Sequence, residues 1–538
     1  MQRPALTKLP VETSRAVQAR GNSTLILVAI LLLGLCSRTV AIGRESLWSD
    51  EALTLVIAHW PLWTMVTDPT DPTGPFYYTL HKLLFPDSVG VIAARSISLV
   101  AGMASLVAVH AIGRFAFSRD GALLATALAA VSAPLIDYSQ EARAYSVLIL
   151  LCLTSAAALL WWFDENRREA RPQRYAALAL FVMATTLALY THLVAIFWIG
   201  PALIILLFLS RRFAQSARDE AVLGIAAVTV LLTPELVRLV KASQIDVGFT
   251  WLAQASPASF AATVRDALLP SGFGRAGDGF VVIAALAMIG WALVRRWQLL
   301  REWSAVQRPA AAVIAVLLLF PLAVWLFGFV AQPIFMTRTM LPGVIGFFLF
   351  ISLLVDLQSP RAGLAVGAAA ILAYVGALLV NGTVRHKEPW RAANSELAQH
   401  VRPGDLIVVC PYWKFPALRH AAFRPVAAPV ISVNRVNPVL LEPRLGTSDH
   451  WPANYFATMS DPEIQLAPSG SIRVALARRA LSLGLRRTIW LVASECSKER
   501  TQTIRRSLGT GKWSRAWSSE IEPAYAPITL LRFDPAGG

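Results

Sequence analysis

Charge is scarce in this chain. Asp, Glu, Lys and Arg together make up 15% of its 538 residues, against about 25% in soluble globular proteins. That shortage excludes a disordered chain, a collagen-like fibre and an ordinary cytosolic enzyme. Cysteine is scarce too: four in the whole chain, too few for a disulfide scaffold. Lysine nearly vanishes, with 7 Lys beside 42 Arg, a bias that fits a GC-rich bacterial genome and carries no mechanism. There is no paired-cysteine ligand set, no H-E-x-x-H and no Gly-rich phosphate loop. The sequence therefore implies no required cofactor, and leaves a divalent metal open. Carboxylates are also missing from the middle of the later apolar segments, where Glu235, toward one end of its segment, is the exception. That absence counts against an ion pump or a proton-coupled transporter.

What is there is apolar. Hydrophobic residues reach 56% and the mean hydropathy is +0.54. Runs of about 17–25 apolar residues can cross a bilayer as helices. The sequence offers eleven: 24–42, 88–111, 121–136, 144–163, 175–189, 193–210, 221–240, 278–294, 310–330, 340–355 and 362–380. The first is too long for a signal-peptide core and lacks a small-x-small cleavage site, so it reads as an anchor. The net charge of +16 would suggest nucleic acid in a soluble protein. In a membrane protein, basic residues crowd the cytoplasmic loops instead, and no nucleic-acid role is expected. One alternate set of loops holds 18 Lys and Arg in 74 residues, the other 7 in 101. Positive-inside then predicts a cytoplasmic tail over 1–23, a transmembrane domain over 24–380, and residues 381–538 on the outer face.

The region 381–538 has the pattern of a small soluble α/β domain. Gly404 to Cys410 reads as a turn and a buried strand, Ser471 to Leu485 as a basic helix, and Thr488 to Val492 as another strand. Its net charge is +9, which suits either an anionic partner or a solvated surface near headgroups. Cys410 and Cys496 each end a predicted strand, and an oxidising compartment would permit them to pair.

The unusual polar residues all fall on the predicted outer face. The loop 43–87 is long for a plain connection. It carries Leu47-Trp48-Ser49-Asp50-Glu51-Ala52, then the amphipathic stretch Leu53 to Met65 with Trp60 and Trp63, then Asp71 through Tyr78. Trp and Tyr suit a helix lying at the membrane interface. The Asp50-Glu51 pair suits a general base, or simply a helix cap. The next outer loop, Asp137 to Tyr145, holds Glu141 and Arg143, either an ion pair fastening two spans or a guanidinium for phosphate. Tyr190-Thr191-His192 makes a tight turn, where His192 is a packed residue or a site-lining one. Arg338 precedes a span. Arg95 lies about two turns into another, where a cation needs a carboxylate or a phosphate.

Taken in order, these motifs resemble the C-type (GT-C) membrane glycosyltransferases, in the branch of the protein O-mannosyltransferases and lipid A aminoarabinose transferase. The matching residues are Leu47 to Ala52, Asp71 to Tyr78, Tyr138 to Tyr145 and Tyr190 to His192. Arg338 and Lys387-Glu388-Pro389-Trp390-Arg391 match more loosely, and the resemblance spans about residues 24–410. Where many relatives have His-Pro-Pro before the Tyr pair, this chain has Thr73-Gly74-Pro75. The resemblance implies a GT-C-like polytopic helical fold of about eleven spans. It also implies a polyprenyl-phosphate-linked sugar donor, a glycan, lipid or protein acceptor, and an inverting displacement outside a bacterial inner membrane. Asp50 would be the base and Glu51 its support. Arg143, Arg338 and Arg95 would hold the donor phosphate. Glu141, His192, Tyr78 and Asp71 would line the site. The competing reading is a protein that binds or flips lipid-linked sugar without turnover.

Overall fold

The computed structural model describes residues 14–67, 73–86, 90–168, 171–243, 254–270, 307–331, 333–356, 358–381 and 387–402. Beyond these it describes the strands of a C-terminal sheet and a few residues beside them, among them Lys414. Asp71, the expected span 278–294 apart from Gly290, and the expected helix 471–485 lie outside the described residues.

The chain is a multi-pass membrane protein. Eight helices among the described residues are long and apolar enough to cross a bilayer, and a bent pair makes a ninth. In chain order the first part contains α1 (Ser14–Thr39), α2 (Ser49–Ala58), α3 (Leu62–Thr67), α4 (Pro75–Leu84), α5 (Val91–Ala116), α6 (Arg119–Ala130), α7 (Ala133–Ser139) and α8 (Tyr145–Arg168). Then come α9 (Arg171–Thr191), α10 (Ile196–Ser210), α11 (Gln215–Ser243), α12 (Pro257–Leu268), α13 (Gln307–Val330), α14 (Leu341–Asp356), α15 (Pro360–Asn381) and α16 (Trp390–His400). Ten of the eleven expected segments coincide with these helices.

Two expectations are corrected in detail. The segment 121–136 is not one straight helix: α6 and α7 meet at a bend of 61°. Pro134 has no N–H to continue the ladder, and backbone carbonyls freed at membrane depth need donors. Arg38 supplies them, with Nη1 on Ala130 O at 2.9 Å and Nη2 on Ala129 O at 3.1 Å. Gln140, just past α7, returns the contact by donating to the carbonyls of Ser37 and Arg38 in α1 and of Val40 just beyond it. The stretch Leu53 to Met65 is likewise not one interfacial helix. Pro61 divides it, α2 is buried almost throughout, and only the short α3 faces outward, with Trp63 76% exposed.

The C-terminal region is a six-stranded mixed sheet of order β3-β2-β1-β4-β6-β5. Its strands are β1 (Leu406–Cys410), β2 (Val430–Val433), β3 (Pro438–Leu441), β4 (Ile489–Ser494), β5 (Trp513–Ile521) and β6 (Ile528–Pro535). The central pairs β1–β2 and β1–β4 are parallel and the outer pairs antiparallel. Strand β4 is buried along its whole length, as a central strand covered on both faces should be. One cover is α16, whose Trp390, Ala393 and Leu397 pack with Ile407, Trp490 and Leu530, and Ala52 of α2 joins the same cluster. A disulfide joins Cys410 to Cys496. Helix α2 is thereby held between the helical bundle and the sheet.

Candidate active site

Asp50 and Glu51 are neighbours in the first turn of α2, and the fold treats them oppositely. Glu51 is fully buried. Arg95 meets it with a two-pronged bridge, Nε to Oε1 at 2.8 Å and Nη2 to Oε2 at 2.7 Å. The Ala142 amide donates to it at 2.8 Å, the Trp48 amide at 3.2 Å, and Lys387 Nζ stands 3.3 Å away. Burial alone would raise the pKa of its carboxyl. The Lys387 and Arg95 charges and the hydrogen bonds from Arg95 and Ala142 overcome that and lower it to about 2. Arg95 spends its other N–H groups on the carbonyls of Ile42, Glu45 and Ser46. A guanidinium has five donors, and here every one has a protein acceptor. Glu51 and Arg95 thus tie α2, α5, the chain after α1 and the turn after α7 into one knot.

Asp50 faces the other way. Its side chain is 32% exposed, and Arg338 Nη1 reaches its Oδ2 at 3.1 Å. Arg143 Nη1 donates to the Asp50 carbonyl at 3.3 Å and to Thr54 Oγ1 at 3.2 Å. Arg338 and Arg143 lie over one aromatic ring, that of Tyr145, with guanidinium carbons 5.9 and 6.0 Å from its centroid. A guanidinium placed over an aromatic face is attracted by the ring's π electrons. Burial alone would lower the pKa of Arg338, but the Tyr145 ring and Asp50 outweigh it and hold it raised, so this cation stays charged. Tyr145 also touches Tyr138 and His192, each with ring centroids 5.4 Å apart. The His192 Nδ1 accepts from the Val194 amide at 3.2 Å, which puts the proton of a neutral ring on Nε2. The result is one partly open carboxylate among two guanidiniums, an aromatic ring and an imidazole.

The remaining expected residues are placed as follows. Glu141 directs a carboxylate oxygen to Lys387 at 3.9 Å, and its carbonyl accepts from the Arg143 amide at 2.8 Å. Tyr78 is buried in the apolar cluster under the first loop with Ile57, Trp60 and Ile97. Arg95, expected as a phosphate ligand, is enclosed with Glu51 instead. Gly74 fixes the inner edge of the loop: its amide donates to Thr191 O at 3.0 Å, and a Cβ there would meet Tyr190 O at 2.0 Å. Thr73 pairs with His192 in an isolated bridge. Tyr145, Thr54 and Lys414 were not singled out by sequence. Tyr145 ends the Tyr138 to Tyr145 motif, but nothing in spacing says that one ring would carry both arginines. Among the described residues, no group of three or more His, Cys, Asp or Glu side chains is arranged to hold a metal ion.

No family model and no curated protein sequence matches the chain. Solved structures do. ArnT from Cupriavidus metallidurans, in its apo state, superposes with a TM-score of 0.59 at 13% identity, covering 96% of this chain and 98% of that one. The archaeal oligosaccharyltransferase AglB from Archaeoglobus fulgidus, solved with an inhibitory peptide and a dolichol-phosphate, gives 0.51 at 12% identity over 88% and 70%. Both are GT-C glycosyltransferases, and the likeness is one of fold. The chain has an ArnT-like GT-C architecture.

Proposed function

We propose that this GT-C-fold chain is a glycosyltransferase. It takes a sugar from a polyprenyl-phosphate-linked donor and passes it to a glycan, lipid or protein acceptor outside a bacterial inner membrane. The observation that carries this reading is the contrast at α2: Glu51 is locked in, while Asp50 is partly open and faced by Arg338 and Arg143. Asp50 is then the base. As the acceptor oxygen attacks the anomeric carbon, its proton passes to Asp50. The bond from that carbon to the phosphate oxygen breaks on the opposite side, and the electron pair stays with the phosphate. Inversion follows from this in-line geometry. Arg143 and Arg338 stabilise the charge that develops on the leaving phosphate, and His192 lines the same site through its ring contact with Tyr145. Arg95 belongs to the framework that holds Glu51.

Undecaprenyl phosphate, the leaving group without its sugar, is a suitable probe. In nanodisc-held protein, Arg143→Gln and Arg338→Gln are each expected to weaken its binding about tenfold or more, the loss of a charge-assisted contact. Asp50→Asn retains that binding and loses transfer by about 10²–10⁴-fold. Unchanged binding in both arginine variants sinks the phosphate assignment. Normal turnover in Asp50→Asn sinks the base. Binding without turnover in the wild type would turn the reading to a carrier of lipid-linked sugar.

A further inference from the structure

We propose that Glu388 and Lys414 are positioning residues. They transmit the docking of the C-terminal sheet to the helix turn that holds Asp50, so the reactive carboxylate is set in place only while that domain is seated. The inference rests on the reading of Asp50 as the reacting group.

Helix α2 caps itself only in part: its own Glu51 takes the Trp48 amide at 3.2 Å, which leaves the Ser49 amide to be met from outside. The first N–H groups of a helix need acceptors, usually from Ser, Thr, Asp or Asn at the N-cap. Here the N-cap residue is Trp48, whose side chain makes no capping bond. For Ser49 the acceptor comes from Glu388, which follows the last span. Its Oε2 takes the Ser49 amide at 3.3 Å and the Ser49 hydroxyl at 2.7 Å. A carboxylate at this end also suits the helix dipole. The neighbouring Lys387 grips Glu51, on the far side of Asp50. Both residues that flank Asp50 are therefore fixed from positions 387 and 388.

Glu388 is in turn held from the sheet domain. Its Oε1 pairs with Lys414, and Lys414 reaches Glu495 at 2.5 Å. Lys414 follows Cys410 by four residues and Glu495 directly precedes Cys496, so the disulfide anchors both ends of this pair. Glu388 and Lys414 are almost wholly buried, 1% and 3% exposed at the side chain. Buried charges need their partners, and removing one leaves the other uncompensated. The polar chain runs Cys496, Glu495, Lys414, Glu388, Ser49, and ends one residue from Asp50. Arg143 and Arg338 sit on other elements and are not part of it.

That separation gives a split readout on the full-length protein in nanodiscs. In Lys414→Met, hydrogen exchange of the amides at the start of α2 is expected to rise about tenfold or more, as local opening becomes easier. Exchange in α5 and α8 stays at the wild-type level, and undecaprenyl phosphate affinity stays within about threefold, since its cations come from elsewhere. If Lys414→Met fails to fold, Glu495→Gln, at a side chain 44% exposed, supplies a milder variant with the same split. Unchanged exchange at α2 overturns the proposal. Equal losses in exchange protection and in phosphate binding also overturn it, because they mark general structural damage. Asp50→Asn serves as the control for the functional reading: it leaves α2 exchange at the wild-type level, and its transfer activity tests the base independently of the coupling.

Discussion

Two adjacent carboxylates with opposite surroundings should respond oppositely to the loss of charge. Glu51→Gln removes the bridged counter-ion of buried Arg95 and leaves Lys387 only the more distant Glu141, a change that costs about 3–5 kcal/mol. Asp50→Asn alters a partly exposed pair, and the contribution of such pairs is about 0–1 kcal/mol. Thermal melts of the two purified variants check this: a large drop for Glu51→Gln and almost none for Asp50→Asn are expected. Acid separates two further windows. Glu51 holds a folded pKa near 2, below its unfolded value, so its contribution is complete above about pH 4.5 and fades as pH falls toward 2. His81 acts earlier. It is 1% exposed, wedged between Tyr77 and Phe85, and burial lowers its pKa from 6.5 to about 4. The unfolded chain takes up that proton first, so stability declines as pH falls from about 6.5 to about 4, by on the order of 3 kcal/mol. In His81→Leu this decline disappears from the melting-temperature profile, while the lower window remains.

At the scale of elements, close approach makes its own forecast. The Tyr190 carbonyl occupies the place where a Cβ on Gly74 would go, so Gly74→Ala pushes the loop off the 190–192 turn. Destabilisation of about 1–3 kcal/mol, typical of overpacking, and weaker undecaprenyl phosphate binding are the expected results, read by melting and titration. The helices themselves were legible in the sequence because each needs a long apolar run, and no other pattern in a chain imitates one. The breaks were less so. Pro134 and Pro61 both stand in the sequence, yet whether a proline bends, ends or is tolerated depends on donors brought from elsewhere, here Arg38 from another helix. The site was legible in part for the same reason. Asp50, Arg143, Arg338 and His192 lie in motifs on one predicted face. The division of labour between Asp50 and Glu51 does not, because it depends on Arg95, Lys387 and Ala142, which converge only in three dimensions. Of the sheet, β1 and β4 were legible as short apolar runs beside turns, while β2, β3, β5 and β6 carried no such signal. Its order, with β1 between β2 and β4, has no counterpart in local sequence.

For the whole molecule, the proposed orientation places the Asp50 cluster and the sheet domain together on the outer side. The disulfide between Cys410 and Cys496 fits an oxidising compartment, and the 18-to-7 bias of basic residues between the loop sets fits the same direction. Single cysteines in a background lacking native thiols test it in intact cells. Position 63, on the exposed Trp63 of α3, should react with an impermeant maleimide, and position 212, at the other end of the bundle, only after lysis. The reverse pattern would invert the topology and remove the outer site with it.

The cap on α2 also has a meaning in time. The Ser49 amide closes on a carboxylate 339 positions later in the chain. At about 5–20 residues per second, a ribosome needs roughly 20–70 s to travel from one to the other. Lys414 comes later, and Glu495 and Cys496 later again. During that interval the spans that come to surround Asp50 are made one after another, while the turn that carries Asp50 still lacks its Glu388 acceptor. On the proposed coupling, a newly made molecule is inert until its last-made domain has folded, been oxidised and docked against α2.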